Sequence, residues 1–298
     1  MSSELYASPL RTHAWPVGHD HVLHVEEWGR DDGLPALLLH GGPGSGCSPL
    51  LRQGFDLERY RLICPDQRGA GHSVPRGSLL KNTTEKLLDD LWLLRRRLGI
   101  ERWLVVGGSW GATLALAHAL DQPEAVSGLL LRNTFLAREE DIAAFFDGAP
   151  EELAQGWRTL PEMEAEAARA LSLRWWWWER QRCGHDEGTA APEGEALAAL
   201  VDRYRVQAHY LRQGCWLQSP PLLERCAALP RVPVHLLHGA QDAVCPPEGA
   251  LALQAAVPWA TLEMLPGVGH DPAHPLLQAA LRRALDAFAA QGDFGGLP

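Results

Sequence analysis

The sequence predicts an α/β protein with a mostly parallel central sheet and a helical insertion. Three observations support this: short apolar runs of strand length, longer helical stretches that alternate with them, and one long stretch without a strand pattern. Continuous apolar runs are typical of strands that helices cover on both faces. The clearest predicted strands are 36–39, 61–64, 103–106, 128–131, 234–237 and 262–265, and several of them are continuous apolar runs.

Two further segments have recognisable patterns. Residues 21–28 mix polar and apolar side chains, which suits an antiparallel hairpin at the edge of the sheet. Between runs 61–64 and 103–106, Asn82 and Glu85 have the spacing of a helix capping pair, and Gly99 is placed to end that helix. The leucines predicted to form its buried face recur at helical spacing: Leu87, Leu91, Leu94 and Leu98.

The insertion covers residues 135–229, where helical patterns rich in Ala, Glu, Arg and Trp replace the strands. The strand pattern resumes at residue 234. We therefore expect a catalytic domain built from residues 1–134 and 230–298, with a helical cap domain, 135–229, inserted after the sixth strand. The alternative interpretation of this segment is a linker or a surface decoration.

Composition excludes several classes of protein. The chain has 298 residues, 46% of them hydrophobic, which is enough to fill a core and excludes a mainly disordered state. Its formal charge of −10, without a block of Lys or Arg, argues against a nucleic-acid partner. No apolar run approaches the length of about 18 residues that a membrane span needs, and no secretion signal is evident, so we expect a cytoplasmic protein.

The cysteines and histidines predict neither disulfides nor a metal site. The six cysteines are scattered without CxxC spacing, which indicates reduced thiols. The histidines lack the spacing of metal ligands, and no cofactor motif is evident.

The segment 105–111 reads Val-Val-Gly-Gly-Ser-Trp-Gly, so that a predicted strand runs through Gly-x-Ser-x-Gly into a helix. This setting is typical of a nucleophile elbow. Ser109 would occupy a strained turn whose neighbours must lack bulky side chains. The N-terminus of the following helix would direct its free N–H groups at the serine oxygen. Ser109 is therefore the predicted nucleophile.

A glycine-rich loop, 40–46, follows the first clear strand. Its backbone N–H groups could approach a reacting carbonyl oxygen, with Gly42 and Trp110 as the two donors of an oxyanion hole. Such a loop could instead bind a phosphate. However, no Gly-Lys-Ser/Thr follows, and Gly-x-Gly-x-x-Gly is not matched within it.

A serine nucleophile needs a general base and an orienting acid. His270 lies just beyond the last clear strand, and Asp242 follows the strand before it. The order Ser109, Asp242, His270 is that of α/β-hydrolases. Asp271 is the rival acid, although a sequence neighbour of His270 readily points away from the imidazole. Without its two partners, His270 would be interpreted as a surface loop histidine.

Five motifs together resemble those of the proline iminopeptidases, which have the α/β-hydrolase fold. The resemblance extends from about residue 21 to residue 288, and the combination of HGGPG, DQRG and GGSWG is more specific than the GxSxG shared by many esterases. The motifs are HGGPGSG (40–46), DQRGAGHS (66–73), GGSWG (107–111), DAVCPP (242–247) and GVGHD (267–271).

The resemblance implies a cofactor-free serine hydrolase that releases N-terminal proline from small peptides through an acyl-enzyme. It assigns Ser109 as nucleophile, Asp242 and His270 as its partners, and Gly42 and Trp110 as oxyanion donors. Asp66 and Arg68 would brace the loop near the elbow.

The family uses two cap carboxylates to recognise the charged amine of the substrate. The first corresponds to the pair Trp178-Glu179, and the second falls at Gln207, where this sequence departs from the family. An amide offers no countercharge, so amine binding is expected to be about tenfold weaker. Trp178, Glu179 and Gln207 are thus the candidate substrate-binding residues. The alternative is that Glu179 and Gln207 form an ordinary polar pair on solvated helix faces.

Four consecutive tryptophans, 175–178, spread over roughly 300° of a helix and cannot all enter one core. One of them could form a flat apolar wall for a pyrrolidine ring above the elbow. The alternative for the others is the core of the cap and its packing on the sheet.

Two other functions remain open. Gln207 is also compatible with an esterase or amidase acting on substrates that lack a free amine, and a non-catalytic binding protein on a hydrolase scaffold is a third possibility. An aspartate-nucleophile enzyme is excluded because the elbow holds Ser109.

Overall fold

The computed structural model describes residues 7–184 and 189–295. Its strands are β1 (Arg11–Gly18), β2 (His21–Gly29), β3 (Leu34–Leu39), β4 (Tyr60–Pro65), β5 (Trp103–Ser109), β6 (Val126–Thr134), β7 (Val234–Gly239) and β8 (Thr261–Leu265). They form one eight-stranded sheet in the order β1-β2-β4-β3-β5-β6-β7-β8. The pairs β1–β2 and β2–β4 are antiparallel, and all other neighbours are parallel.

The sheet confirms the predicted architecture. Each of the six predicted strands lies within one of the strands β3 to β8, and residues 21–28 form the second strand of an edge hairpin with β1. Alternate side chains of a strand point to opposite faces. Accordingly, Val105 belongs to the hydrophobic core on one face and Val106 to the core on the other. This burial on both faces explains the continuous apolar run at the start of β5, 103–106.

The α-helices of the described residues are α1 (Pro49–Arg52), α2 (Thr84–Arg97), α3 (Trp110–Asp121), α4 (Glu139–Phe146), α5 (Glu151–Gly156), α6 (Ala165–Arg182), α7 (Gly194–Arg212), α8 (Leu222–Arg225), α9 (Glu248–Ala256) and α10 (Pro275–Gln291). Short 3₁₀ turns cover Pro123–Ala125, Trp157–Glu162, Gly214–Trp216 and Cys226–Ala228.

Helix α2 begins one residue later than the predicted capping pair requires. Thr83 is the N-cap, and its hydroxyl accepts a hydrogen bond from the Lys86 N–H at 3.4 Å. Asn82 is buried and instead donates its amide to the carbonyl oxygens of Arg68 and Ser78. The predicted Asn82 cap is therefore wrong, because the loop before the helix already uses this side chain. On the predicted apolar face, Leu87, Leu91 and Leu94 are buried, and Leu98 is partly buried.

Helices α4 to α8 lie between β6 and β7, and the described residues of segment 135–229 contain no strand. Aromatic rings form much of the packing within this segment. Trp175 stacks on Tyr204, with ring centroids 4.7 Å apart, and Phe146 stacks on Trp157 at 4.6 Å. A Cβ placed on Gly44 would lie only 2.7 Å from the Arg203 carbonyl oxygen, so the glycine-rich loop touches the α7 backbone. The helical segment thus lies directly over that loop.

Two further observations concern the cysteines and membrane spans. All six cysteines are free. Within residues 7–184 and 189–295, no helix has the length and apolar character needed to cross a membrane.

Candidate active site

Ser109 occupies a strained backbone conformation at the junction of β5 and α3, with φ +55° and ψ −124°. The glycines around it are required by close backbone contacts. A Cβ on Gly107 would overlap the carbonyl oxygen of Gly111, and a Cβ on Gly111 would overlap that of Leu39. Strain of this kind persists only where the surroundings over-determine it. The strand, turn and helix therefore hold the serine hydroxyl at the carboxyl edge of the sheet.

Asp242 and His270 form a close pair on the loops that follow β7 and β8. The carboxylate Oδ2 of Asp242 lies 2.8 Å from His270 Nδ1. Its Oδ1 accepts the backbone N–H groups of Val244 and Cys245 at 2.9 and 2.8 Å. Burial alone would raise the pKa of Asp242, but the facing imidazole and these hydrogen bonds outweigh it and lower the pKa to about 2. Asp242 is thus ionised at neutral pH and oriented towards the imidazole.

The rival acid, Asp271, is oriented differently. Its Oδ1 accepts the Ala273 N–H at 2.8 Å and so closes a local turn. Asp242 is the carboxylate that contacts His270 Nδ1.

Asn133, at the end of β6, is a residue of this site that sequence analysis did not identify. Its amide nitrogen donates to Asp242 Oδ2 at 2.5 Å and to the Gly269 carbonyl oxygen at 3.1 Å. Its φ is +48°, a conformation that asparagine tolerates better than most residues. Asn133 thus ties the loop of the acid to the loop of the histidine.

Ser109 and His270 both line a cavity of about 490 Å³, which lies between the carboxyl edge of the sheet and the helical segment. Cys245 Sγ is 3.8 Å from Ser109 Oγ. Part of the wall is apolar and comes from the helical segment, 135–229: Phe135, Ile142, Phe145 and Trp176. The cavity therefore presents a serine hydroxyl, an imidazole and an apolar surface.

The two predicted oxyanion donors flank the serine differently. Gly42 lines the cavity at φ +110°, and its loop is anchored by His40, whose Nε2 accepts the Gln67 N–H at 3.0 Å. Trp110 is the first residue of α3, where helical N–H groups lack intrahelical partners. Its buried indole donates to Gln67 Oε1 at 2.8 Å. Gln67 thus connects the glycine-rich loop to the elbow.

The DQRG segment supports the same loop. Asp66 accepts the backbone N–H groups of Cys47 and His72 at 2.6 and 2.8 Å. Arg68 is buried and makes two hydrogen bonds to Asp90, at 2.6 and 2.7 Å.

His24, Asp66 and His72 place their potential metal-ligand atoms within 4.8 Å of one another. Both carboxylate oxygens of Asp66 already accept backbone N–H groups. The position of Asp66 in this cluster is therefore explained by its role in supporting the glycine-rich loop, without a metal ion.

Glu179 and Gln207 both line the cavity, and each contacts the other. The Gln207 amide nitrogen lies 3.3 Å from Glu179 Oε1, while the Arg203 guanidinium and the Tyr204 hydroxyl each donate to Oε2 at 2.8 Å. The pair thus lies inside the cavity rather than on solvated helix faces. Burial would lower the pKa of Arg203, but the Glu179 carboxylate more than offsets this and raises it. Arg203 is a cavity residue that sequence analysis did not identify.

Trp178 is not among the residues that line the cavity. Its indole N–H donates to the Phe145 carbonyl oxygen at 2.8 Å, and the Arg182 guanidinium lies 5.2 Å from its ring centroid. Trp176 lines the cavity, and Trp175 is fully buried. Trp176 therefore faces the cavity, whereas Trp178, the tryptophan next to Glu179 in sequence and the predicted substrate-binding residue, does not line it.

The sheet order, the strained serine after β5 and the Asp–His pair after β7 and β8 define a hydrolase of the α/β class. The sequence profile described as alpha/beta hydrolase fold matches residues 35–274. A probable proline iminopeptidase of Leptolyngbya boryana is 34% identical, over 95% of this chain and 96% of that protein. A proline iminopeptidase of Arabidopsis thaliana is 33% identical, over 93% of this chain and 80% of that protein.

The chain therefore belongs to the proline iminopeptidase family of the α/β-hydrolase fold. The crystal structure of a proline iminopeptidase from Mycobacterium smegmatis is similar, with a TM-score of 0.66 at 20% identity, covering 95% of this chain and 98% of that chain. At 20% identity this structural similarity supports the shared fold alone.

Proposed function

We propose that the protein is a serine aminopeptidase that releases N-terminal proline from small peptides. The observation that carries the proposal is the single cavity that brings together Ser109 on its elbow, the His270–Asp242 pair and the Gly42 loop. This arrangement occurs in a chain that belongs to the proline iminopeptidase family.

In the proposed mechanism, His270 accepts the hydroxyl proton of Ser109 while Oγ attacks the prolyl carbonyl carbon. Asp242 holds the Nδ1 side of the imidazole and stabilises its cationic form. The N–H groups of Gly42 and Trp110 stabilise the oxyanion. His270 then transfers the proton to the leaving amine as the scissile C–N bond breaks, and a prolyl ester of Ser109 remains.

A water molecule completes the reaction. It loses a proton to His270 and attacks the ester carbonyl, after which the proton returns to Ser109 Oγ and proline departs. The products are free proline and the shortened peptide, and the reaction consumes only water.

Recognition of the substrate is assigned to the helical segment, 135–229, which we infer to act as a cap. The apolar wall that includes Phe145 and Trp176 suits a pyrrolidine ring, and Glu179 supplies the carboxylate for the charged amine. Arg203 already pairs with that carboxylate, and Gln207 brings no second charge. We therefore expect weaker binding of the amine than a site with two carboxylates would provide. The six free thiols are in keeping with a cytoplasmic location.

The decisive experiment compares proline p-nitroanilide, its N-acetyl form and a short-chain p-nitrophenyl ester, with Ser109→Ala as the blank. The proposal expects rapid cleavage of the free-amine anilide and slow cleavage of its acetylated form, because only the former presents a cation to Glu179. In Ser109→Ala, turnover of every substrate should fall by at least about 10³-fold.

Two results would contradict the proposal. Cleavage of the ester with the proline anilide left intact would indicate an esterase. Full turnover by Ser109→Ala would refute the serine mechanism itself.

A further inference from the structure

Arg132 presents an unpartnered guanidinium to the cavity. It lies near the end of β6 and is partly buried among the cavity-lining residues. Within residues 7–184 and 189–295, its side chain makes neither a hydrogen bond nor an ion pair. Burial lowers its pKa to about 10, which leaves it charged at neutral pH. A partly buried cation with five donors and no protein partner is stabilised by a ligand that supplies acceptors.

The position of Arg132 relates it directly to the reacting centre. It is paired in register with Gly108 across β5 and β6. A Cβ placed on Gly108 would lie 2.5 Å from Arg132 Cζ, so the guanidinium packs on the residue that precedes Ser109. Any side chain larger than hydrogen at position 108 would occupy this place.

The other charges of the cavity do not neutralise Arg132. Among the described lining residues, Glu179 is the only carboxylate, and Arg203 pairs with it at 2.8 Å. Arg180 also lines the cavity, but its guanidinium donates to Thr189 at 2.6 Å and lies 5.1 Å from the Trp176 ring centroid. Among the lining residues that the structure describes, the cavity therefore has one carboxylate, on the helical segment, and one cation without a hydrogen-bond or ion-pair partner, Arg132, beside the elbow.

We propose that Arg132 binds the C-terminal carboxylate of the substrate, so that dipeptides of the form Pro-X with a free carboxylate are preferred. The inference rests on the proposed function. A residue of extended chain spans roughly 3.5 Å, so the carboxylate of a dipeptide lies about one residue beyond the scissile bond. Arg132 contacts the residue next to Ser109, which matches this reach. The zwitterionic substrate would place its amine at Glu179 and its carboxylate at Arg132.

The test measures kcat and KM for Pro-Ala, its C-terminal amide and proline p-nitroanilide, in the wild type and in Arg132→Met. The wild type should prefer the free acid over the amide roughly tenfold or more, the strength of a charge-assisted contact. In Arg132→Met this preference should disappear through a higher KM for the free acid, while the amide and the anilide change less than about threefold. Arg132→Lys should retain part of the preference that Arg132→Met loses, because lysine keeps the positive charge but lacks the planar guanidinium that can make two hydrogen bonds to a carboxylate.

Arg174→Met is the matched control, since Arg174 is an exposed arginine of α6 that lies outside the cavity lining. It should behave as the wild type. The inference is overturned if the wild type cleaves the amide as well as the acid, or if Arg132→Met slows all three substrates equally, which a purely structural role would produce. If the wild type cleaves no proline substrate, the proposed function fails and the inference fails with it. Cleavage of the anilide without a preference for the acid refutes the inference alone.

Discussion

The carboxyl edge of the sheet and the inner face of the helical segment contribute to one cavity, but they position their side chains in different ways. At the sheet edge the backbone determines the position: Ser109 is held at φ +55° by contacts that only glycine permits at Gly107 and Gly111. On the helical segment, side chains determine one another, since Glu179 is oriented by Arg203 and its neighbours. Under the proposed function, the reaction chemistry would therefore depend on the fold, whereas substrate preference would depend on side-chain pairings that can change one residue at a time.

The largest expected effect tests the sheet edge. Asp242→Asn should lower kcat for proline p-nitroanilide by about 10³- to 10⁴-fold, because an amide cannot stabilise the cationic imidazole and favours the wrong tautomer. Asp271→Asn is the matched control and should stay within about threefold of the wild type, since Asp271 bonds to the Ala273 N–H. Steady-state kinetics on both variants, with circular dichroism to verify folding, provides the measurement. Equal losses in the two variants would mean that the orienting acid has been misassigned.

The same contrast explains how far sequence analysis could reach. The carboxyl ends of parallel strands meet at one edge, so chain order sufficed to place Asp242 and His270 on neighbouring loops. Arg132 and Asn133 directly follow the predicted run 128–131, and this position was the available signal for polar residues at the same edge. Their actual partners depend on register and backbone angles that a single sequence does not reveal.

The helical segment offered less information. Helical spacing predicted that the four tryptophans could not all enter one core, but not that Trp176 rather than Trp178 would line the cavity. No local pattern indicated that Arg203 pairs with Glu179, because the two residues are 24 positions apart in the sequence and lie on different helices, α7 and α6. The resemblance to the family identified Glu179 and Gln207 as candidate substrate-binding residues, and both of them line the cavity.

A second prediction tests whether recognition is as adjustable as this contrast implies. Gln207→Glu adds a carboxylate at a side chain 3.3 Å from Glu179 and should lower KM for the free-amine anilide about tenfold. Glu179→Gln should act in the opposite direction by a similar factor. In both variants kcat should change much less than KM, because neither side chain takes part in the proposed attack by Ser109 or in the proton transfers of His270.

The N-acetylated anilide is the internal control for these two variants. It carries no cation, so its kinetics should remain nearly constant. If Gln207→Glu leaves KM for the free amine unchanged, the amine does not bind between these helices.

The smallest effect on activity, and a separate effect on stability, is expected for a histidine buried away from both regions. Burial lowers the pKa of His118 to about 3, against about 6.5 for an exposed histidine, and its Nε2 accepts the Trp103 indole N–H at 3.1 Å. A histidine whose pKa is lowered by folding stabilises the protein above its unfolded pKa, and this contribution is lost as the pH falls through 6.5 towards 3. When the pH falls from 8 to 5, the titration of His118 should therefore reduce the free energy of unfolding by about 2 kcal/mol.

His118→Gln retains an acceptor for Trp103 but cannot titrate, so urea titrations at the two pH values should show a pH-dependent loss smaller by this amount. Activity of the variant at pH 8 should remain within about twofold of the wild type, because the cavity and its charges are untouched. An unchanged pH dependence in His118→Gln would show that His118 is already protonated in the folded state.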